Sequence, residues 1–98
     1  MDAKVVSPDE ALFEGEVVSC SARSTEGEIG ILEGHQPALL LLAPAPLELH
    51  LPDGSAVTYL VRSGFLEFAD GQLTVLADKA ERVDDKDAAF AKLEASQA

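Results

Sequence analysis

A chain of 98 residues with 18 Asp and Glu against 7 Lys and Arg, a formal charge of −11, has room for one core. It also lacks the basic footprint that nucleic acid or anionic lipid head groups require, and its sign suits a basic protein surface instead. Cys20 is the sole cysteine, which excludes a disulfide framework and a cysteine-based zinc site and fits a reducing compartment. With no apolar leader and no run of the roughly 20 apolar residues needed to span a bilayer, the chain is expected to be soluble and unprocessed.

Residues 3–78 carry the punctuation of an antiparallel all-β domain, short apolar runs divided by turn residues. Ser7-Pro8-Asp9 ends a first strand around Val5 and Val6, and Glu14-Gly15-Glu16 predicts a turn after Leu12 and Phe13. From Val17 to Arg23 the pattern alternates, with Val18, Cys20 and Ala22 on the apolar side. Ser24 to Pro44 sets glycines, glutamates and His35 against the leucines at 39–42. Residues 47–51 alternate again, Pro52-Asp53-Gly54-Ser55 supplies a turn, and Val57, Tyr59 and Val61 resume the pattern, which predicts a hairpin. A second hairpin joins residues 65–69 to 73–77 through Asp70-Gly71. Residues 84–98 change to helix composition, with Asp84, Asp85 and Asp87 where the helix dipole favours acids. Only Phe90 and Leu93 are large and apolar there, so this helix must lean on the β domain or fray.

Several strands are apolar on both faces: Leu60 interrupts a polar side, Phe65 opposes Leu66 and Leu76 opposes Val75. Part of the outer surface is therefore expected to be covered, by the helix, by the other sheet or by another protein.

Catalytic chemistry is hard to assemble from these residues. Ser24 and Ser63 have no histidine near them in sequence, and His35 and His50 belong to different elements, so a serine hydrolase is disfavoured. Asp84, Asp85 and Asp87 lack the glycine turn and distal glutamate of a calcium loop, and Gly27, Gly30 and Gly34 do not follow a phosphate-loop spacing. No catalytic residue, cofactor or metal site is expected. Cys20 reads as a small core residue and His50 as a solvated strand position, while His35 remains open between a plain loop residue and a functional one.

With those residues in view, the chain resembles the epsilon subunit family of the bacterial F-type ATP synthase over nearly its whole length. The matching stretches are Val5-Val6-Ser7-Pro8, Leu12-Phe13-Glu14-Gly15, Thr25-Glu26-Gly27-Glu28-Ile29-Gly30-Ile31-Leu32, Gly34-His35-Gln36-Pro37, Gly64-Phe65-Leu66-Glu67 and Leu73-Thr74-Val75-Leu76-Ala77-Asp78, in the family's order and spacing. The resemblance implies a mainly β fold, a flattened β-sandwich of about ten strands over residues 1–80, with a short C-terminal helix over 81–98. It implies a non-catalytic rotor subunit that clamps the gamma subunit to the c ring for proton-driven ATP synthesis and meets the alpha/beta head only indirectly. Such a subunit is membrane-associated only through the complex, on the cytoplasmic side of the bacterial plasma membrane. Carried over residue by residue, Glu26, Glu28 and His35 match positions facing the c ring, and Ser7 and Leu40 match positions near gamma.

Two departures from the family pattern stand out. Glu33 occupies the place where proline is usual before Gly34-His35, which adds charge and removes stiffness. ATP-binding members carry an Asp-x-x-Arg signature in the first helix, whereas here Asp87 is followed by Ala88-Ala89-Phe90. The resemblance therefore implies neither ATP binding nor the extending inhibitory hairpin. A free-standing β-sandwich module that recognises a protein or glycan is the alternative reading. It accounts for the fold but not for the ordered motif series.

Overall fold

The computed structural model describes residues 1–97. In chain order it comprises β1 (Asp2–Val6), β2 (Ala11–Glu16), β3 (Ser19–Ser24), β4 (Gly27–Leu32), β5 (Ala38–Leu42), β6 (Ala45–His50), β7 (Ala56–Ala69), β8 (Gln72–Val83) and α1 (Lys86–Gln97). The strands form one continuous hydrogen-bonded sheet folded on itself. The early part of β7 pairs with β6 and its later part with β5, while residues 72–76 of β8 pair in parallel with β1 before β8 follows β7 into the other layer. One layer thus holds β2, β1, the start of β8, the end of β7 and β5. The other holds β4, β3, β6, the start of β7 and the end of β8. Because two of the eight strands serve both layers, the sandwich has ten strand segments, as the resemblance implies.

Alternation builds the core. The inward residues of β6, Ala45, Leu47 and Leu49, are buried, as are Leu66 and Phe68 of β7 and Leu73, Val75 and Ala77 of β8. The Tyr59 hydroxyl donates to the Leu12 carbonyl at 2.9 Å, fastening β2 onto the opposite layer. Desolvation in the core pushes the phenol above its ordinary pKa. Cys20 is buried in the core, and desolvation raises its thiol to about 12, so it packs as a small apolar group.

Both predicted hairpins form. Between β6 and β7, Asp53 Oδ1 accepts from the Ser55 amide at 2.9 Å and from its hydroxyl at 2.6 Å. Between β7 and β8, Asp70 and Gly71 sit at φ 53° and 74°, the left-handed pair that a two-residue hairpin turn demands. Two expectations fail further upstream. Glu14, Gly15 and Glu16 pair with Lys4, Ala3 and Asp2 inside β2, so they extend the strand instead of turning the chain. The next strand begins at Ser19 rather than Val17, so Val18 lies outside the alternation and is exposed while Cys20 and Ala22 are buried. The turn residues misled here because a glycine beside two glutamates is also acceptable on a sheet edge.

The helix begins where Asp85 Oδ1 accepts from the Ala88 amide at 2.8 Å, a side-chain cap rather than a metal ligand. The predicted helix extended to Ala98, which lies outside the described residues. Ala89 and Leu93 pack on Leu60 and Val83, which explains the apolar Leu60 on an otherwise polar strand face. Ionic contacts rim this small seam: Lys86 Nζ lies 3.8 Å from Glu48 Oε1, which also takes His50 Nε2 at 2.8 Å, so His50 is tied rather than free in solvent. Lys92 Nζ donates to Glu81 at 2.8 Å and holds that carboxyl below its usual range. This tie is therefore fully present at neutral pH and is lost only as the pH falls through the lowered value.

The change of layer depends on Gly64. Register shifts flank Ser63, and Gly64 follows at φ 151° directly over β8. A Cβ there would meet the Leu76 carbonyl oxygen and come within 2.9 Å of the Ala77 Cα, both main-chain atoms that cannot swing aside. Gly64→Ala is expected to lower the unfolding free energy in urea by about 2–4 kcal/mol, from strain and overpacking combined. A loss below about 0.5 kcal/mol would show that the crossing can open without cost.

Candidate functional site

Helix α1 covers one outer face of the sandwich, and no element of the described residues covers the other. On that bare face Leu41, Phe65 and Leu76 are cross-strand partners in register, and Leu76 in turn pairs with Val6. These four residues come from β5, β7, β8 and β1 and make one apolar row across the sheet. Leu41, Phe65 and Leu76 are each about half exposed, and Leu39, one row along, is 69% exposed. The row lies in a groove of about 530 Å³ whose walls include Ser7, Pro8 and Asp78. Large apolar residues lined up in register on a small acidic protein form a contiguous patch of the kind that marks a protein contact.

The sequence-predicted gamma-facing residues fall on both sides of this surface. Ser7 lines the groove, its amide and hydroxyl both directed at the Glu10 carbonyl, at 2.9 and 3.3 Å. Leu40 pairs with Leu66 and packs inward against the core, whereas its neighbours Leu39 and Leu41 point out. The most exposed side chains on β5 are therefore one residue to either side of Leu40.

Glu26, Glu28 and His35 are not brought together. Glu26 occupies the tip of the β3–β4 hairpin, where its amide donates to Ser24 Oγ at 3.1 Å and that hydroxyl donates to the Gly27 carbonyl at 2.9 Å. Glu28 lies on β4 and pairs with Arg23 at 3.2 Å. His35 sits beyond the far end of β4, its ring edge-on to Phe68 at 6.0 Å and its Nδ1 2.6 Å from the Gln36 carbonyl. The length of β4, about 17 Å at the rise of an extended strand, separates Glu26 from the histidine, and about 13 Å of it separates Glu28. The expected loop is thus a hairpin at one end and a short connection at the other.

A second concavity, of about 340 Å³, lies between α1 and the β3–β4 strands and is lined by Arg23, Glu28, Gly30, Lys86 and Phe90. The Arg23 guanidinium stands 5.9 Å from the centre of the Phe90 ring as well as pairing with Glu28. Among the described residues no cluster of three or more His, Cys, Asp or Glu is arranged to hold a metal ion. No helix there is long and apolar enough to cross a membrane.

Sequence reasoning did not single out Leu39, Leu41, Phe65 or Leu76 as contact residues. The signal was present in the strands that are apolar on both faces, but it takes the strand order to show that their outward residues share one row.

Comparison with known proteins agrees with this geometry. Residues 1–83 match the family described as the ATP synthase delta/epsilon chain beta-sandwich domain. The ATP synthase epsilon chain of Streptomyces avermitilis is 38% identical over 98 residues, covering 100% of this chain and 79% of that one. Among solved structures, a chain of the Euglena gracilis mitochondrial ATP synthase, in an assembly of OSCP, F1 and c-ring, superposes with a TM-score of 0.77 at 29% identity, over 97% of this chain and 62% of its own length. A chain from the Tetrahymena thermophila mitochondrial ATP synthase shares the fold alone, with a TM-score of 0.68 at 15% identity over 98% of this chain and 88% of that one. A sandwich of this strand order, its ordered sequence motifs and the match over residues 1–83 lead to one conclusion: the chain belongs to the ATP synthase delta/epsilon family and carries its beta-sandwich domain.

Proposed function

We propose that this chain is a non-catalytic rotor subunit in the central stalk of an F-type ATP synthase, joining the gamma subunit to the c ring so that ion-driven rotation reaches the catalytic head. The observation that carries this reading is the uncovered row Val6, Leu76, Phe65 and Leu41. An apolar row in register across four strands, set in a groove, gives a rigid partner a dry contact, which suits torque transmission. The Euglena neighbour belongs to an assembly of F1 and c-ring, which supports the same partners for this chain. On this reading the protein is peripheral to the bacterial plasma membrane, on its cytoplasmic side, and held there by the complex. The acidic tip at Glu26 and Glu28 and the separate His35 connection are the proposed c-ring contacts, with the acids suited to basic groups on the ring.

Replacing Phe65 and Leu76 with serine is expected to weaken binding of the purified gamma subunit at least tenfold, about 1.4 kcal/mol, in titration calorimetry. Because both side chains are half exposed, the melting temperature should change little. Unaltered gamma affinity would reject the face as the stalk contact. For the ring, the Glu26→Ala, Glu28→Ala pair and His35→Ala are tested separately in membranes carrying the assembled enzyme. Each is expected to lower proton pumping per ATP hydrolysed, and coupling preserved in both variants would remove the assignment. Nucleotide gives a third measurement. With Phe90 in the position of the signature arginine and Arg23 engaged by Glu28 and Phe90, ATP at micromolar concentration should give no binding heat with the isolated chain. A saturable isotherm in that range would contradict this.

A further inference from the structure

Exposed sheet edges present unpaired main-chain groups, and folded proteins usually blunt them with charge. Three edges of this sandwich follow the rule: β2 carries Glu14 and Glu16, β4 carries Glu28, and the end of β8 carries Lys79, Glu81 and Arg82. β5 does not. Its sequence is Ala-Leu-Leu-Leu-Leu, without a charge, and Leu39 and Leu41 project outward from it.

The side of β5 away from β7 is open along its first half. Among the described residues its one ladder partner there is Ser24, opposite Leu42. The Thr25 amide donates to the Leu41 carbonyl at 3.0 Å and the Ala43 amide donates to the Arg23 carbonyl at 2.9 Å. These two bonds fix the phase of the strand. Main-chain groups alternate sides along an antiparallel strand, so those of Leu39, Leu41 and Ala43 face the open side while those of Ala38, Leu40 and Leu42 face β7. The amides of Leu39 and Leu41 and the carbonyl of Leu39 are therefore offered at an unprotected edge, beside outward leucines that continue the apolar row. Charge says what would fit. No Lys or Arg occurs between Arg23 and Arg62, the exposed Glu26 follows Thr25, which bonds Leu41, and the exposed Glu33 lies five residues before the strand begins at Ala38.

We propose that β5 takes up an extended segment of the gamma subunit as an added strand. The segment would bond to the main chain of Leu39 and Leu41, lay an apolar side chain beside Leu41 so that the row gains one more strand, and carry Lys or Arg at its ends toward Glu26 and Glu33. The inference rests on gamma being the partner, as proposed above, and adds a mode of contact.

The test compares Leu39→Pro with Leu39→Ala in binding to purified gamma. Both lose the leucine, but only proline removes the amide, and on an open edge it does so without breaking a bond within the sandwich. Strand addition predicts that Leu39→Pro binds at least tenfold more weakly than Leu39→Ala at similar melting temperatures. Should the proline variant fail to fold, amide exchange in the unmodified complex decides: the Leu39 and Leu41 amides should exchange freely in the isolated chain and at least a hundredfold more slowly with gamma bound. Equal affinities of the two variants, or unprotected amides in the complex, would overturn strand addition. Phe65→Ser measured in parallel keeps the two readings apart. If it binds normally while Leu39→Pro does not, the face-on contact fails and the added strand stands.

Discussion

The whole architecture turns on one close approach, where the main chain of β7 at Gly64 passes over the main chain of β8 at Leu76 and Ala77. Two long strands have to leave one layer and enter the other side by side, and the crossing leaves no room for a side chain. The register shifts around Ser63 supply the local twist that turns the pair. Each layer then inherits half of β7 and half of β8, so the layers share covalent chain as well as packed side chains.

From the same crossing follows the asymmetry of the two outer faces. In one layer the outward residue of β7 is Leu60, and α1 lies over it with Ala89 and Leu93. In the other, the outward residues are Phe65 and, across the ladder, Leu76 and Leu41, and the described chain offers them nothing. The covered face is secured by a narrow apolar seam with ionic ties at Lys86–Glu48 and Lys92–Glu81. Exposed ties of this kind contribute little each, so the helix is held mainly by the burial of a few side chains.

Much of the fold was legible in the sequence because its hairpins are local. Asp-Gly at 70–71 and Pro-Asp-Gly-Ser at 52–55 announce their turns, and the alternation beside them sets which side chains go inside. What misled was also local: Glu14-Gly15-Glu16 has turn composition but spans an edge, where polar residues and glycine are equally at home. The candidate site was less legible, since it depends on neighbours far apart in sequence. Val6 and Leu76 meet only because β1 lies parallel to β8, and no window of residues contains both. The apolar content of residues 38–42 drew attention to that strand, yet its phase needed the ladder to Phe65 and Gly64. Glu26 and His35 look close in sequence, but β4 holds them a strand length apart.

The parallel seam between β1 and β8 also bears on how the chain reaches this shape. Until β8 exists, β1 has β2 alone to pair with, and a two-stranded ribbon is marginal in water. The layer that presents the apolar row therefore completes only after residue 76 has left the ribosome, whereas the β3–β4 hairpin and the β6 ladder to early β7 can form beforehand. Closing a loop of some seventy residues late in assembly raises the contact order and slows folding. Throughout that interval β5 and the row beside it stand exposed, so the surface best suited to its partner is also the one most open to self-association during synthesis.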